Sequence, residues 1–193
     1  SMTGDTIPVV LSDIASDTTK LKNSFVHLKD AFASYEFAFG PNRWPKVGYM
    51  IVQNGAMEHP TAISYPRFLI TGTTQYEDIM AHELSHHWWG DLATCHREEE
   101  MWINEGMATF AQYYFYEWVY GVTSYKNQIR ANHENLIHYV HYKEGGYLAL
   151  SEIPHNITYG EHVYNKGGDV AHTMRGYLGD SLFFAGLRYV MEN

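Results

Sequence analysis

Two histidines four positions apart are the residues of this sequence best suited to chemistry. His82 and His86 enclose Glu83 in the segment His-Glu-Leu-Ser-His. Residues four apart on an α-helix project from one face, so both imidazoles can reach a single ion, and zinc prefers such nitrogen ligands. Glu83 is turned about 100° from His82 by helix geometry. It can therefore take a proton from water activated by the zinc without ligating the metal itself.

A third ligand is needed, because a five-residue match also arises by chance on a polar helix face whose histidines are satisfied by other partners. Glu105 follows His86 after 18 intervening residues, in the first turn of another predicted helix. An antiparallel pair of helices would place its carboxylate opposite the histidines. Two histidines and one glutamate leave the fourth position open for water, which is typical of a catalytic zinc site. The sequence thus predicts one zinc ion per chain on His82, His86 and Glu105.

Composition narrows the class of protein. The chain has 193 residues, of which 45% are hydrophobic, and this predicts one domain with a sizeable core. The net charge of -9 argues against nucleic acid as a partner and fits a cleft that attracts cations. No stretch approaches the ~18 apolar residues of a membrane-spanning helix. Cys95, the single cysteine, is interpreted as structural, and it implies no oxidising compartment.

Apolar spacing and chain breakers predict the elements around these residues. We expect a strand at 7–11, a helix over 18–39 capped by Asp17 or Thr18, strands at 47–52 and 61–70, a metal-bearing helix over 73–89, a helix from a cap at Asn104 to about Tyr120, and later helices opened by Thr123 or Ser124, by Glu161 or His162, and by Asp180. Strands come early and helices late. This order predicts an α+β fold with the sheet packed against the metal-bearing helices.

Four short motifs follow one another along the chain. Residues 82–90 read His-Glu-Leu-Ser-His-His-Trp-Trp-Gly, and residues 102–106 read Trp-Ile-Asn-Glu-Gly. Upstream, 23 residues before His82, Gly-Ala-Met-Glu at 55–58 matches the first four positions of a GxMEN motif. Downstream, residues 164–167 read Tyr-Asn-Lys-Gly. Together these segments resemble the aminopeptidase N family of gluzincin metallopeptidases, in which the last motif is Tyr-x-Lys-Gly.

The resemblance runs from about Thr18 to the C-terminus and implies a thermolysin-like catalytic domain. It implies hydrolysis of the N-terminal peptide bond of peptides that have a free N-terminus. Full-length members carry a β-rich domain before this region and a helical domain after it. We therefore expect residues 1–193 to be a single catalytic domain, truncated at both ends. His59 stands where the family usually has Asn, and this difference concerns recognition of the substrate backbone.

The resemblance also implies roles for residues outside the metal site. Glu58 would bind the substrate's α-ammonium by charge pairing, and the alternative is a solvated loop glutamate. Gly55 and Ala56 would let a peptide backbone pair beside them as along an edge strand, although Gly55 also suits an ordinary turn. Tyr164 would donate a hydrogen bond to the oxyanion. The chain has 16 tyrosines, so a core role is the alternative, with Tyr159 as the reserve donor.

Three rival functions share the zinc chemistry. The chain can be a zinc endopeptidase, a zinc epoxide hydrolase such as one branch of the family contains, or a zinc-binding fragment that is inactive without flanking domains. Tolerance of a blocked N-terminus separates the first from an aminopeptidase. His87 points about 100° away from His86 on the helix, so we expect it to pack or to meet solvent rather than bind metal. Neither a compartment nor an oligomeric state is predicted.

Overall fold

The structure, a computed structural model, describes residues 1–13 and 18–193 as a small sheet followed by helices. The strands are β1 (Val9–Ser12), β2 (Val47–Val52) and β3 (Ile63–Pro66), in the order β1-β2-β3 with both pairs parallel. The helices are α1 (Thr18–Ser24), α2 (Leu28–Phe39), α3 (Glu77–Ser85), α4 (Glu105–Tyr120), α5 (Val122–Asn135), α6 (His141–Lys143) and α7 (Gly167–Glu192). Two π-helical turns, Leu136–Val140 and His162–Lys166, and 3₁₀ turns at Arg67–Leu69, Glu98–Ile103 and His155–Ile157 connect them. The predicted α+β class is confirmed.

The predicted helix over 18–39 is divided into α1 and α2. The division falls at Phe25, which is buried edge-on against Tyr49 and Tyr65 of the sheet, at ring centroid distances of 4.7 and 5.3 Å. A continuous helix would gain one more turn of backbone hydrogen bonds but would lose this aromatic packing. Of the two predicted caps, Asp17 lies outside the described residues. The predicted strand over 61–70 is shortened to β3, since Pro66 has no N–H with which to continue the ladder.

Three buried tyrosines fix α3 against the rest of the domain. Their hydroxyls donate to main-chain carbonyls of α3 and of the residue before it: Tyr35 to Ala81 at 3.0 Å, Tyr49 to Met80 at 2.7 Å and Tyr65 to Tyr76 at 2.9 Å. Buried hydroxyls without partners would be costly, so these bonds are directional constraints on the helix. The helix is shorter than the predicted 73–89, because it ends at Ser85 and residues 86–89 form turns.

Helix α4 lies in the centre of the domain. Its first half is buried on nearly every side, and it packs against α2, α3, α5 and α7. Asn104 stands at the predicted N-cap position of this helix, but its side chain makes no capping bond. Instead Asn104 accepts from the Cys95 N–H at 2.9 Å and donates to the Thr94 hydroxyl at 3.2 Å. It therefore ties the preceding loop to the start of α4.

Helix α7 continues from the second π-helical turn and is interrupted once, at Gly179, whose φ is 73°. The interruption agrees with the predicted start of a last helix at this point. Asp180 was predicted to open that last helix. Its two carboxylate oxygens accept hydrogen bonds from the Arg175 guanidinium at 2.8 and 2.9 Å. Although α7 spans 26 residues, no helix within the described ranges combines the length and apolar character needed to cross a bilayer.

Helix α4 and the start of α7 touch through their backbones. A Cβ on Gly106 would lie 2.6 Å from the Gly167 Cα, and a Cβ on Gly167 would lie 2.6 Å from the Gly106 Cα. Only hydrogen fits at either position, since real Cβ atoms do not approach other carbons so closely. The two glycines belong to two of the four sequence motifs. Their contact brings Glu105, next to Gly106, close to the turn that carries Tyr164.

We predict that Gly167→Ala lowers the free energy of unfolding by about 1–3 kcal/mol, because the added methyl forces α4 and α7 apart. The matched control is Gly176→Ala in the same helix, where a Cβ meets nothing within 4 Å. That change should stabilise the protein by about 0.4–1 kcal/mol, as alanine is the better helix former. Urea unfolding followed by circular dichroism measures both. Equal effects of the two substitutions would contradict a close backbone crossing.

Candidate metal centre

The predicted site residues meet at a cavity of about 350 Å³ between α3, α4, the segment 56–58 and the second π-helical turn. Its lining consists of Ala56, Met57, Glu58, His82, Glu83, His86, Glu105, Tyr159 and Tyr164. Gly55 lies beside the lining residues and is not one of them. A larger, mostly apolar groove of about 770 Å³ lies between the N-terminal residues, α1 and α2, and none of the predicted site residues lines it.

The three predicted ligands bring their donor atoms together. The Nε2 atoms of His82 and His86 lie 3.2 and 3.4 Å from one oxygen of Glu105. Nitrogen and oxygen ligands about 2.0–2.2 Å from a tetrahedral zinc ion are about 3.3–3.6 Å from one another. The observed separations are therefore those that a zinc ion requires, and the residues present fit the metal.

His86 is oriented by a hydrogen bond on the side of its ring away from the cavity. Its Nδ1 donates to the Trp89 carbonyl at 2.7 Å. The other nitrogen, Nε2, is then the one that faces Glu105, and a bond of this kind fixes the tautomer of a metal-binding histidine. The turn over 86–89, which replaces the end of the predicted helix, supplies that carbonyl. Gly90 has φ +131°, and a Cβ there would come 3.0 Å from His86 Nδ1.

Strong charges surround the ligand atoms. Burial lowers the pKa of His86, but its hydrogen bond to Glu105 and the nearby carboxylates outweigh burial and raise the pKa to about 9. Burial also raises the pKa of Glu105, yet its hydrogen bonds with His82 and His86 lower the net value to about 2. Glu105 is therefore ionised at neutral pH. In the metal-free site, a protonated His86 places its positive charge where a metal cation would bind. Metal binding would release such a proton.

Glu83 lies between the ligands and Glu58. Its side chain is buried, and burial raises its pKa, an effect that His82 and His86 oppose and that the carboxylates of Glu58 and Glu105 reinforce. Oxygens of Glu58 and Glu83 lie within 4.8 Å of each other and of a His86 nitrogen. A carboxylate whose pKa is raised above its usual range is suited to taking up a proton at neutral pH and giving it back.

The segment 55–58 extends the sheet at the free edge of β3. Met57 and Ser64 exchange two backbone hydrogen bonds of 3.1 and 2.8 Å in an antiparallel pair. In such a pairing the neighbouring residues, Ala56 and Glu58, turn their N–H and C=O groups the opposite way, away from β3. Gly55 has φ +78° with open space around a Cβ, so glycine is favoured there by backbone conformation. Met57 was not predicted as a lining residue, although it stands between two that were.

Tyr164 faces the metal ligands from the π-helical turn. Its ring stacks on that of His82, with centroids 6.0 Å apart and planes 17° from parallel. Burial, followed by the charge of Glu105 and a hydrogen bond with it, raises the pKa of Tyr164 far above the usual value, so the phenol keeps its proton as a donor. Tyr159, the reserve donor, lies at the rim with 69% of its surface exposed. Of the two, Tyr164 is the better placed.

His87 is packed away from the cavity, and it lies in the turn after α3 rather than on the predicted helix. It is 1% exposed, its Nε2 accepts from the Thr61 N–H at 3.4 Å, and its ring meets Trp44 edge-on. Burial, aided by the charge of His86, lowers the pKa of His87 to about 4. It is therefore neutral at pH 7 and belongs to the scaffold behind the ligands.

Comparison with known proteins gives a consistent family. A family model described as the peptidase family M1 domain matches residues 22–193. The aminopeptidase B of Rattus norvegicus is 32% identical over 89 residues, which are 44% of this chain and 14% of that protein. The probable M1 family aminopeptidase 1 of Encephalitozoon cuniculi (strain GB-M1) is 28% identical over 181 residues, 82% of this chain and 20% of that protein. The chain thus spans about a fifth or less of the length of these relatives.

A solved structure shows the same fold. The M1 zinc metallopeptidase from Deinococcus radiodurans superposes with a TM-score of 0.78, over 98% of this chain and 41% of that chain, at 20% identity. The fold expected from the sequence motifs is confirmed.

We predict that His87 makes the protein sensitive to mild acid. Its folded-state pKa of about 4 lies below the ordinary value of about 6.5, so the unfolded chain binds more protons between these values. Its contribution to stability is complete above pH ~6.5 and is lost as the pH falls towards 4. His87→Gln keeps an acceptor for Thr61 and removes the titration. Urea unfolding of the metal-free proteins at pH 7 and pH 5 should show a smaller loss for the variant, and equal losses would contradict this role.

Proposed function

The chain belongs to peptidase family M1, and we propose that it is a zinc-dependent aminopeptidase that hydrolyses the N-terminal peptide bond of peptides. The observation that carries this proposal is the meeting, in one cavity, of a His-His-Glu set with zinc spacing and a carboxylate on the adjoining sheet edge. The first suits hydrolysis, and the second suits recognition of a free amine. Residues 1–193 act as one catalytic domain in this scheme.

One zinc ion is held by His82, His86 and Glu105. When bound, zinc supplies a Lewis acid that polarises the scissile carbonyl and makes water a stronger nucleophile near neutral pH. The remaining chemistry falls to the chain's own side chains. Trp89 supports the metal site through its carbonyl, which holds the His86 ring in the orientation that exposes Nε2.

Glu83 moves the proton. Its buried carboxylate takes the proton of the attacking water and delivers it to the leaving amine, for which a raised pKa is an advantage. Tyr164 donates its phenol hydrogen to the carbonyl oxygen as negative charge develops there. A donor aimed at the developing charge stabilises the transition state more than the substrate, so it raises kcat rather than lowering KM.

Glu58 selects the chain end. Its carboxylate lies near Glu83 and His86, so an ammonium paired with it leaves room for about one residue before the scissile carbonyl. The outward N–H and C=O groups of Ala56 and Glu58, next to the turn at Gly55, offer backbone pairing to that residue. Peptides with a free N-terminus are therefore the expected substrates. A blocked amine would leave Glu58 charged and unpaired in the cavity.

We predict that His86→Ala loses most of its zinc, whereas Glu83→Gln keeps the metal and loses turnover by about 10²–10⁴-fold, because the amide cannot accept a proton. His87→Gln serves as the control, since it changes the adjacent histidine without touching the cavity. Zinc is measured by elemental analysis after gel filtration, and turnover with aminoacyl-coumarin substrates. Full zinc in His86→Ala would remove this residue from the ligand set, and normal turnover in Glu83→Gln would exclude it as the base.

We also predict a strong preference for free over N-acetylated aminoacyl-coumarins, most of which Glu58→Gln abolishes. The substitution keeps the shape of the side chain and removes the charge that pairs with the ammonium. Glu192→Gln, at an exposed site on α7, is the control for loss of one negative charge. The ratio of kcat/KM for each free and blocked pair is the measurement. Equal cleavage of both by the unmutated protein would favour a zinc endopeptidase over an aminopeptidase.

A further inference from the structure

The π-helical turn that carries Tyr164 is held by a group of side chains outside the cavity. Such turns are rare and tend to occur at functional sites. Like any helical start, this one has backbone N–H groups that its own hydrogen bonds leave unpaired. The partners of those groups decide where the turn lies, and with it the hydroxyl of Tyr164.

Glu144 provides the partners at the start of the turn. One carboxylate oxygen accepts from the Glu161 N–H at 2.5 Å. The other accepts from the His162 N–H at 3.0 Å and from His162 Nδ1 at 2.5 Å. Both side chains are largely buried, with 10% of Glu144 and 4% of His162 exposed. Glu144 stands just after α6. Its carboxylate lies at the N-terminal end of the π-helical turn, where a negative charge is favourable.

His162 passes the constraint on to the loop that follows Glu144. Its Nε2 accepts from the Leu148 N–H at 3.4 Å, which assigns the hydrogen to Nδ1, where it is donated to Glu144. Lys166, at the end of the turn, donates to the Leu148 carbonyl. Residues 144–148 are therefore hydrogen-bonded to both the first and the last residue of the turn. Tyr164 is the middle residue of that turn.

Two further contacts show that this arrangement is closely fitted. Gly160 lies against the carboxylate, since a Cβ on it would be 2.5 Å from Glu144 Oε1. Asn132 of α5 donates to the carbonyl of Asn165, next to Tyr164, at 2.8 Å. The turn is thus bonded on both sides of the tyrosine. None of these groups lines the cavity, and the cavity residue that lies within the turn they hold is Tyr164.

We propose that Glu144, acting with His162, is a positioning residue that holds the Tyr164 hydroxyl at the height of the scissile carbonyl. The inference rests on the oxyanion role proposed for Tyr164. Misplacement of a catalytic group by about 1 Å can cost about 10²-fold in rate. Glu144→Gln is the sharpest probe, because it keeps the shape while turning an amide N–H₂ towards N–H donors in place of one acceptor.

The first test does not depend on activity. Tyr164 is replaced by 3-fluorotyrosine in the unmutated protein, in Glu144→Gln and in Glu134→Gln, a control at an exposed site of α5. Fluorine NMR should show a shifted or broadened resonance in Glu144→Gln alone, and a second label at Tyr49 in the core should not change. An unchanged resonance at position 164 would overturn the proposal. Should Glu144→Gln fail to fold, His162→Gln is the second variant and is judged in the same way.

The second test is a double-mutant cycle. We expect Glu144→Gln to lower kcat about 10-fold with little change in KM, at unchanged zinc content, and to add nothing further in the Tyr164→Phe background. Full additivity with Tyr164→Phe would overturn the proposal, since it would show an effect that bypasses the tyrosine. If the unmutated protein cleaves no peptide, the proposed function fails on its own, and the fluorine experiment still decides whether Glu144 positions Tyr164.

Discussion

Three carboxylates share the wall of one small cavity, and the rest of the site is arranged around their negative charge. Glu58, Glu83 and Glu105 each come from a different part of the chain, and the charges of Glu58 and Glu105 raise the pKa of Glu83. Like charges gathered in a partly buried space are costly unless cations join them. The proposed zinc ion and the substrate's ammonium carry three positive charges together, which balances three carboxylates. Binding of the metal and the substrate would then also neutralise the three carboxylates. The charges in the cavity are best balanced when both are bound.

A charge arrangement of this kind needs a rigid frame, and much of the frame consists of hydrogen bonds rather than apolar contact alone. Tyr35, Tyr49 and Tyr65 hold α3 by its carbonyls, while Asn104 holds the loop before α4. Apolar packing tolerates sliding, but a buried hydroxyl bonded to one carbonyl does not. The abundance of tyrosine in the chain therefore has a structural reading, since several of these side chains fasten elements as well as fill the core.

Local patterns in the sequence predicted most of the elements and the zinc ligands, whereas the roles of Glu58 and Tyr164 came from the family resemblance. β2 occupies the predicted 47–52, and α4 ends at the predicted Tyr120, because alternation and helical spacing are properties of neighbouring residues. The errors have distant causes. Phe25 interrupts a periodic helix by packing on strands, and Asn104 prefers a loop partner to the helix end. Glu144 carried no motif, and its partners at 161 and 162 become visible only when the chain is folded.

The contact between Gly106 and Gly167 ties two parts of the site closely together, whereas the segment 55–58 is attached more loosely. Glu105 and Tyr164 flank a crossing with no room for relative movement, so they behave as a single body. Opposite them, the segment 55–58 is bonded to β3 through the Met57–Ser64 pair, after a glycine with open space around a Cβ. We therefore expect the segment 55–58 to open more readily than the helix crossing. In hydrogen-exchange terms, amides of this segment should open by local fraying, whereas those of α4 should open only in global unfolding.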